Sequence, residues 1–206
     1  SVATPTKQAS LAELAASCRK RGMNLGVYLS PADRHLGVGV GGKADDPANQ
    51  PTYERIFRQQ LTELLSRYGE MKEVWFDGSS ITDVGDILQQ HCPKAMVFQG
   101  PYATIRWVGN EDGLARESEW SVLPWGVGDR RGSDLGHQKY LVGAERLMWY
   151  PAECDVSIRP GWFYHPEQDD EVKSLAHLLD IYYRSVGRNS NLLLNIPPDK
   201  RGRFHE

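Results

Sequence analysis

A chain of 206 residues is long enough for one large domain or a tight pair. A net charge of −3 leaves no basic surplus for nucleic acid, no run of like charges forms a tail, and the longest apolar runs are too short to span a bilayer. Cys18, Cys92 and Cys154 are scattered, giving neither a disulfide framework nor a Cys-x-x-Cys metal site, so reduced thiols are expected. No charged-then-apolar leader is seen at Ser1.

Leu11, Leu14, Ala15 and Cys18 follow helical spacing, and Gly22 stands where a helix should stop. Asn24 to Ser30 reads as a buried strand ending at Pro31. Arg34 to Gln50 is rich in Gly and Asp and reads as loop. Within it the run Gly37 to Gly42 lacks the Lys-Ser or Lys-Thr of a phosphate-binding loop. Tyr53, Ile56, Phe57, Gln60, Leu61, Leu64, Leu65 and Tyr68 predict a second helix, stopped by Gly69. Glu73 to Asp77 predicts a second strand. Ile81, Val84, Leu88 and Cys92 predict a shorter helix, and Ala95 to Phe98 a third strand.

The stretch from Tyr102 to about Gly132 reads as one long loop, too aromatic to be disordered and therefore a candidate for function. Arg146 to Tyr150 predicts a strand, followed by a loop through Pro160-Gly161-Trp162. Val172, Leu175, Leu179, Tyr182 and Val186 predict a last helix closed by Gly187, and Leu192 to Ile196 a final strand. Helices alternating with short apolar strands imply a parallel sheet covered on both faces. About five parallel strands are too few for a closed eight-stranded barrel, which takes roughly 250 residues. The expected fold class is α/β: a partial or truncated (β/α)8-like barrel, with residues 1–206 as one domain. An open parallel edge would need cover, which a homo-oligomer could supply.

Polar residues fall where such a fold carries its chemistry: Asp33 and Arg34, Asp77, Gln99, Glu153 and Asp155, and Asn195 at strand ends. Asp77 follows an apolar strand and precedes Gly78. An aspartate there is either a helix cap, with Ser79 and Ser80 before Ile81, or a carboxylate in a cleft. Trp75, two residues earlier, projects to the same side and favours a sugar site. Glu111 lies between Gly109 and Gly113, with Glu117, Glu119 and Glu153 as rivals. A pair of carboxylates at neighbouring strand ends can hydrolyse a glycosidic bond, with retention if they lie about 5 Å apart. His35, His137, His165 and His177 show no metal-ligand spacing, and no Gly-x-Ser-x-Gly elbow occurs.

Several ordered motifs resemble those of the family 29 α-L-fucosidases. They are Leu25 to Pro31 (LGVYLSP), Glu73 to Gly78 (EVWFDG) and Arg106 to Gly113 (RWVGNEDG). Trp149 to Ser157 (WYPAECDVS) continues the likeness into Trp162 to His165, and Arg188-Asn189 with Leu192 to Pro198 completes it. The resemblance implies retaining hydrolysis of terminal α-L-fucosides without a metal or other cofactor. Asp77 would be the nucleophile and Glu111 the general acid/base. Trp75 and Trp162 would contact the sugar, with Arg106 a weaker candidate. The implied partner is a fucosylated oligosaccharide or glycoconjugate, in the branch that prefers α1,3/1,4 linkages, with no nucleic acid and no membrane. The resemblance also implies that the family's first strands, its His-His-Asp-Gly-Phe fucose-binding segment, its last strand and its C-terminal β-sandwich are missing from this sequence. Two rival readings remain: a truncated barrel that binds sugar weakly or is inactive, and a metal-dependent hydrolase using Asp77, Glu153 and Asp155.

Overall fold

The computed structural model describes residues 10–78, 81–125 and 141–206. Ser79 and Ser80, the end of the long loop at 126–132, and His137 lie outside the described residues. The chain divides into two compact units, Ser1–Ala103 and Thr104–Glu206.

In the first unit, α1 (Ser10–Lys20) buries Ala15 and Cys18. It ends as its sequence requires: Gly22 takes φ 64, and the Met23 N–H turns back to the Cys18 carbonyl at 2.9 Å. Three strands then form a parallel sheet in chain order: β1 (Leu25–Tyr28), β2 (Met71–Trp75) and β3 (Met96–Phe98). Helices α2 (Gln50–Arg67) and α3 (Gly85–His91) make the crossovers. Tyr53, Phe57, Leu61 and Leu65 recur every fourth residue along α2, and all four are buried. They pack with Val27, Val74 and Val97 in one core.

The loop between β1 and α2 is ordered by α2 itself. Gln50 Oε1 accepts from the Ala44 N–H at 2.8 Å, while Nε2 donates to the Gly42 carbonyl at 3.0 Å. Asp46 caps a short 3-10 turn, Pro47–Asn49, that leads into α2. The third helix starts later than the apolar spacing predicts. Ile81 and Val84 precede it, and Asp83 accepts from the Gly85 N–H at 3.0 Å ahead of its first turn.

In the second unit, β4 (Arg106–Trp107), β7 (Ala152–Ser157) and β8 (Asn191–Asn195) form a second parallel sheet in the order β4-β7-β8. Helix α4 (Leu175–Ser185) connects β7 to β8, with Ser174 accepting from the His177 N–H at its start. Gly187 does not close this helix. The left-handed residue is Asn189, φ 68, after a 3-10 turn. Strands β5 (Val122–Pro124) and β6 (Leu147–Trp149) pair antiparallel as a separate ribbon.

Three sequence expectations therefore change. The predicted strand at Arg146 to Tyr150 exists as β6, but it is antiparallel and outside the parallel set. The supposed loop from Tyr102 contains β4 and β5. Glu153 and Asp155 do not follow a strand, because they lie inside β7. The reason is visible in the alternation of β7. Ala152, Cys154 and Val156 face an apolar layer that includes Val108, Leu192 and Ile181, while Glu153, Asp155 and Ser157 share the opposite, polar face.

Candidate active site

Asp77 stands two residues beyond the end of β2, in a turn made possible by Gly78 at φ 85. A Cβ on Gly78 would collide with the Val40 carbonyl oxygen, so the glycine loop after β1 packs directly against this turn. Helix α3 begins only at Gly85, so Asp77 does not cap it. Its Oδ2 instead accepts a 2.5 Å hydrogen bond from the Tyr28 hydroxyl at the end of β1. Burial, then this hydrogen bond, raise the Tyr28 hydroxyl to about 12. The phenol is thus a donor across the neutral range.

Tyr28, Trp75 and Phe98 are register partners on three adjacent strands. Trp75 stacks on Phe98 with ring centroids 4.0 Å apart and on Tyr28 at 5.5 Å. Trp75 is half-buried and in register beside the strand end that carries Asp77. An open cavity of about 470 Å³ lies beside β1, and Tyr28, Ser30, Asp33 and Arg34 are among its lining residues.

In the second unit, Glu111 is exposed on the loop that leaves β4. Asn110 shapes that loop: its Oδ1 accepts from the N–H groups of Asp112 (3.1 Å) and Leu114 (3.4 Å), and its Nδ2 donates to the Leu114 carbonyl at 2.9 Å. Gly109 (φ 102) and Gly113 (φ 74) supply the left-handed corners.

The rivals of Glu111 are placed differently. Glu119 is buried in an ion pair with Arg106 Nη2. Glu153 is fully buried and accepts from Asn191 Nδ2 at 2.5 Å. Glu117 is exposed. Arg106 is buried as well, and Nη2 also reaches the Trp120 carbonyl at 3.0 Å, while its Nε and Nη1 have no partner among the described residues. Trp162 is half-buried on the loop after β7, where its carbonyl accepts from Asn195 Nδ2 at 3.0 Å. Arg159 anchors that loop through Asp169 at 3.0 Å, with its guanidinium 4.9 Å from the Tyr164 ring.

Asp155 is the residue that sequence reasoning undervalued. It is buried in β7, and Oδ1 accepts a 2.7 Å hydrogen bond from the Trp107 indole. Burial pushes its carboxyl up to about 6 against the opposing effect of that bond, and the charges of Glu111 and Glu153 push the same way as burial. Tyr28, Trp107 and Asn110 also lie within the family-like motifs, but nothing in their spacing signals the bonds they make. The period-two run Glu153-x-Asp155-x-Ser157 was the available signal for β7. Cys18, Cys92 and Cys154 are all free and buried. Among the described residues, no group of three His, Cys, Asp or Glu side chains is arranged to hold a metal ion. No described helix is long and apolar enough to cross a membrane.

Comparison with known proteins agrees with the motif order. The family model described as "Alpha-L-fucosidase" matches residues 1–206. The chain is 40% identical over 210 aligned positions to Alpha-L-fucosidase 1 of Arabidopsis thaliana, covering 95% of this chain and 38% of that protein. A putative α-L-fucosidase 1 of Oryza sativa is 38% identical, with 92% and 36% covered. This chain thus spans little more than a third of the curated relatives it matches. Among solved structures, a putative α-L-fucosidase of Bacteroides ovatus superposes with a TM-score of 0.79 at 44% identity, covering 97% of this chain and 37% of that one. A Ruminococcus gnavus glycoside hydrolase 29 fucosidase, solved in complex with fucose, gives 0.76 at 28% identity, with 95% and 44% covered. The chain belongs to the α-L-fucosidase family, glycoside hydrolase family 29.

Proposed function

We propose that the protein is a retaining exo-α-L-fucosidase, built on a section of a (β/α)8-like barrel domain, with Asp77 as nucleophile and Glu111 as general acid/base. The reading rests on one observation above all: each of these carboxylates stands just past a parallel strand in a turn built to present it. Asp77 is held by the Tyr28 hydroxyl, and Glu111 by the Asn110 turn. In the proposed reaction an Asp77 oxygen attacks the anomeric carbon of fucose while the Glu111 carboxylic acid protonates the departing glycosidic oxygen. The resulting ester is then hydrolysed by a water molecule that Glu111 deprotonates, returning the α-configured sugar.

Trp162 offers apolar surface to the sugar ring, Trp75, stacked against both Tyr28 and Phe98, would meet the sugar through its edge, and Arg106, engaged with Glu119, is the weaker contact. The substrate class is a fucosylated oligosaccharide or glycoconjugate. The burial of Glu119 and Glu153, one in an ion pair and the other under Asn191, supports Glu111 over both as the proton donor. A second copy could cover the edge of β1, which among the described residues is paired only with β2.

A chromogenic fucoside assay combined with solution mass tests this reading. Asp77→Ala and Glu111→Ala should each abolish turnover, and azide should restore it in the Glu111 variant by taking the place of the second nucleophile. Absence of wild-type activity across pH would leave the inactive sugar-binding fragment as the better account. Rescue at Glu117 or Glu119 instead would move the acid/base role.

A further inference from the structure

The polar face of β7 carries a feature that hydrolysis by Asp77 and Glu111 does not use. Asp155 is buried on that face with its carboxyl bound to the Trp107 indole at 2.7 Å. Trp107 is the last residue of β4, and the Glu111 loop begins immediately after it. The two strands are joined at the same level: Trp107 pairs with Glu153, and the Val108 N–H donates to the Glu153 carbonyl at 2.9 Å. The indole therefore ties the root of the Glu111 loop sideways to β7. Asn110 stiffens the loop from within. The cross-strand neighbour of Asp155 on β8 is Leu193, which is uncharged. The charges of Glu111, from the loop, and of Glu153, from its own strand, both push the Asp155 carboxyl upward.

We infer that Asp155, acting through Trp107, is a positioning residue for Glu111, fixing the root of its loop and setting a second carboxyl opposite it. This rests on the assignment of Glu111 as acid/base. A carboxyl there resists a rotation of Trp107 that would swing Glu111 away from the glycosidic oxygen. It also supplies a neighbouring charge that changes when the enzyme crosses mildly acidic pH. Displacement of a proton donor by about 1 Å can cost up to roughly a hundred-fold in rate.

Two measurements on the intact protein separate this role from a merely structural one. In the first, the Trp107 indole N–H resonance, identified by its loss in Trp107→Phe, is followed with pH. It should move with a midpoint near the value of about 6 expected for the Asp155 carboxyl. The movement should vanish in Asp155→Asn, and its midpoint should fall in Glu111→Gln, because the neighbouring charge is gone. In the second, Asp155→Asn is assayed on fucosides of differing leaving group. The loss should be about ten-fold or more for a sugar or alkyl leaving group, which needs a placed acid, and small for an activated aryl leaving group. A midpoint indifferent to Glu111→Gln, or an equal loss on both substrate types, overturns the inference. A wild-type protein inactive on every fucoside overturns the proposed function instead, while the indole titration still decides whether the two carboxyls face each other.

Discussion

The Tyr28 hydroxyl donates to Asp77 Oδ2 at 2.5 Å, joining residues 49 apart in sequence through adjacent parallel strands. A hydrogen bond to a charged group contributes about 1.5–3 kcal/mol, and here it both orients the carboxylate and spreads its charge. Tyr28→Phe keeps the stack on Trp75 and removes the hydroxyl, with its bond to Asp77 and its contact with Ser30. Turnover of 4-nitrophenyl α-L-fucoside should fall by about ten-fold or more, with the folded state retained. Unchanged turnover would show that Asp77 is oriented without the phenol.

The Arg106–Glu119 pair is buried, so breaking it should register in stability. Glu119→Gln leaves the guanidinium without its counter-charge, and about 3–5 kcal/mol of unfolding free energy should be lost. Denaturant titration reads this directly. Azide should not restore any lost activity in this variant, which sets it apart from Glu111→Ala.

Gly113 sits at φ 74, and a Cβ there would lie 2.8 Å from both Ile181 Cγ2 and Val156 Cγ1. Gly113→Ala combines backbone strain with overlap against the core under α4. A cost of about 1–3 kcal/mol is expected. Because the glycine closes the turn that carries Glu111, activity under folding conditions should fall further than the unfolded fraction explains. Activity that merely tracks the folded fraction would separate the turn from the chemistry.

Asp155 carries a sign that thermal or denaturant melts can check. Its folded carboxyl sits near 6, above the ordinary aspartate value, so the native state holds the proton more tightly than the unfolded chain. The stability it contributes is complete below the unfolded value and is lost as pH rises toward 6. Asp155→Asn has no proton to lose and keeps an acceptor for the Trp107 indole. Relative to wild type, the variant should gain about 2–3 kcal/mol between pH 4 and pH 7.5. Parallel pH curves for the two proteins would contradict the burial of a titrating carboxyl.

Much of the first unit was legible because each signal there is local. The every-fourth spacing of Tyr53, Phe57, Leu61 and Leu65 wrote α2, and Gly22 marked the end of α1. Asp77 was visible as a strand-end carboxylate, yet its partner Tyr28 was not, since the bond depends on the β1–β2 register. The second unit was harder to read. Strand β4 is two residues long, too short to carry any period. Strand β7 holds two carboxylates, and charge in a strand core reads as loop until Asn191 and Trp107 are known to satisfy it. Asn189 closed the last helix region in place of Gly187, because asparagine also tolerates the left-handed conformation.

The two-sided character of β7 bears on how the chain finds its native pairing. A slip of one residue would turn Glu153 and Asp155 into the apolar layer beneath α4, and Cys154 and Val156 onto the polar face. Such misregistered forms would bury two carboxylates without partners, a penalty of several kcal/mol. The acidic residues of this strand therefore act as a ratchet on assembly, admitting one alignment of β4, β7 and β8 and rejecting its neighbours before any substrate arrives.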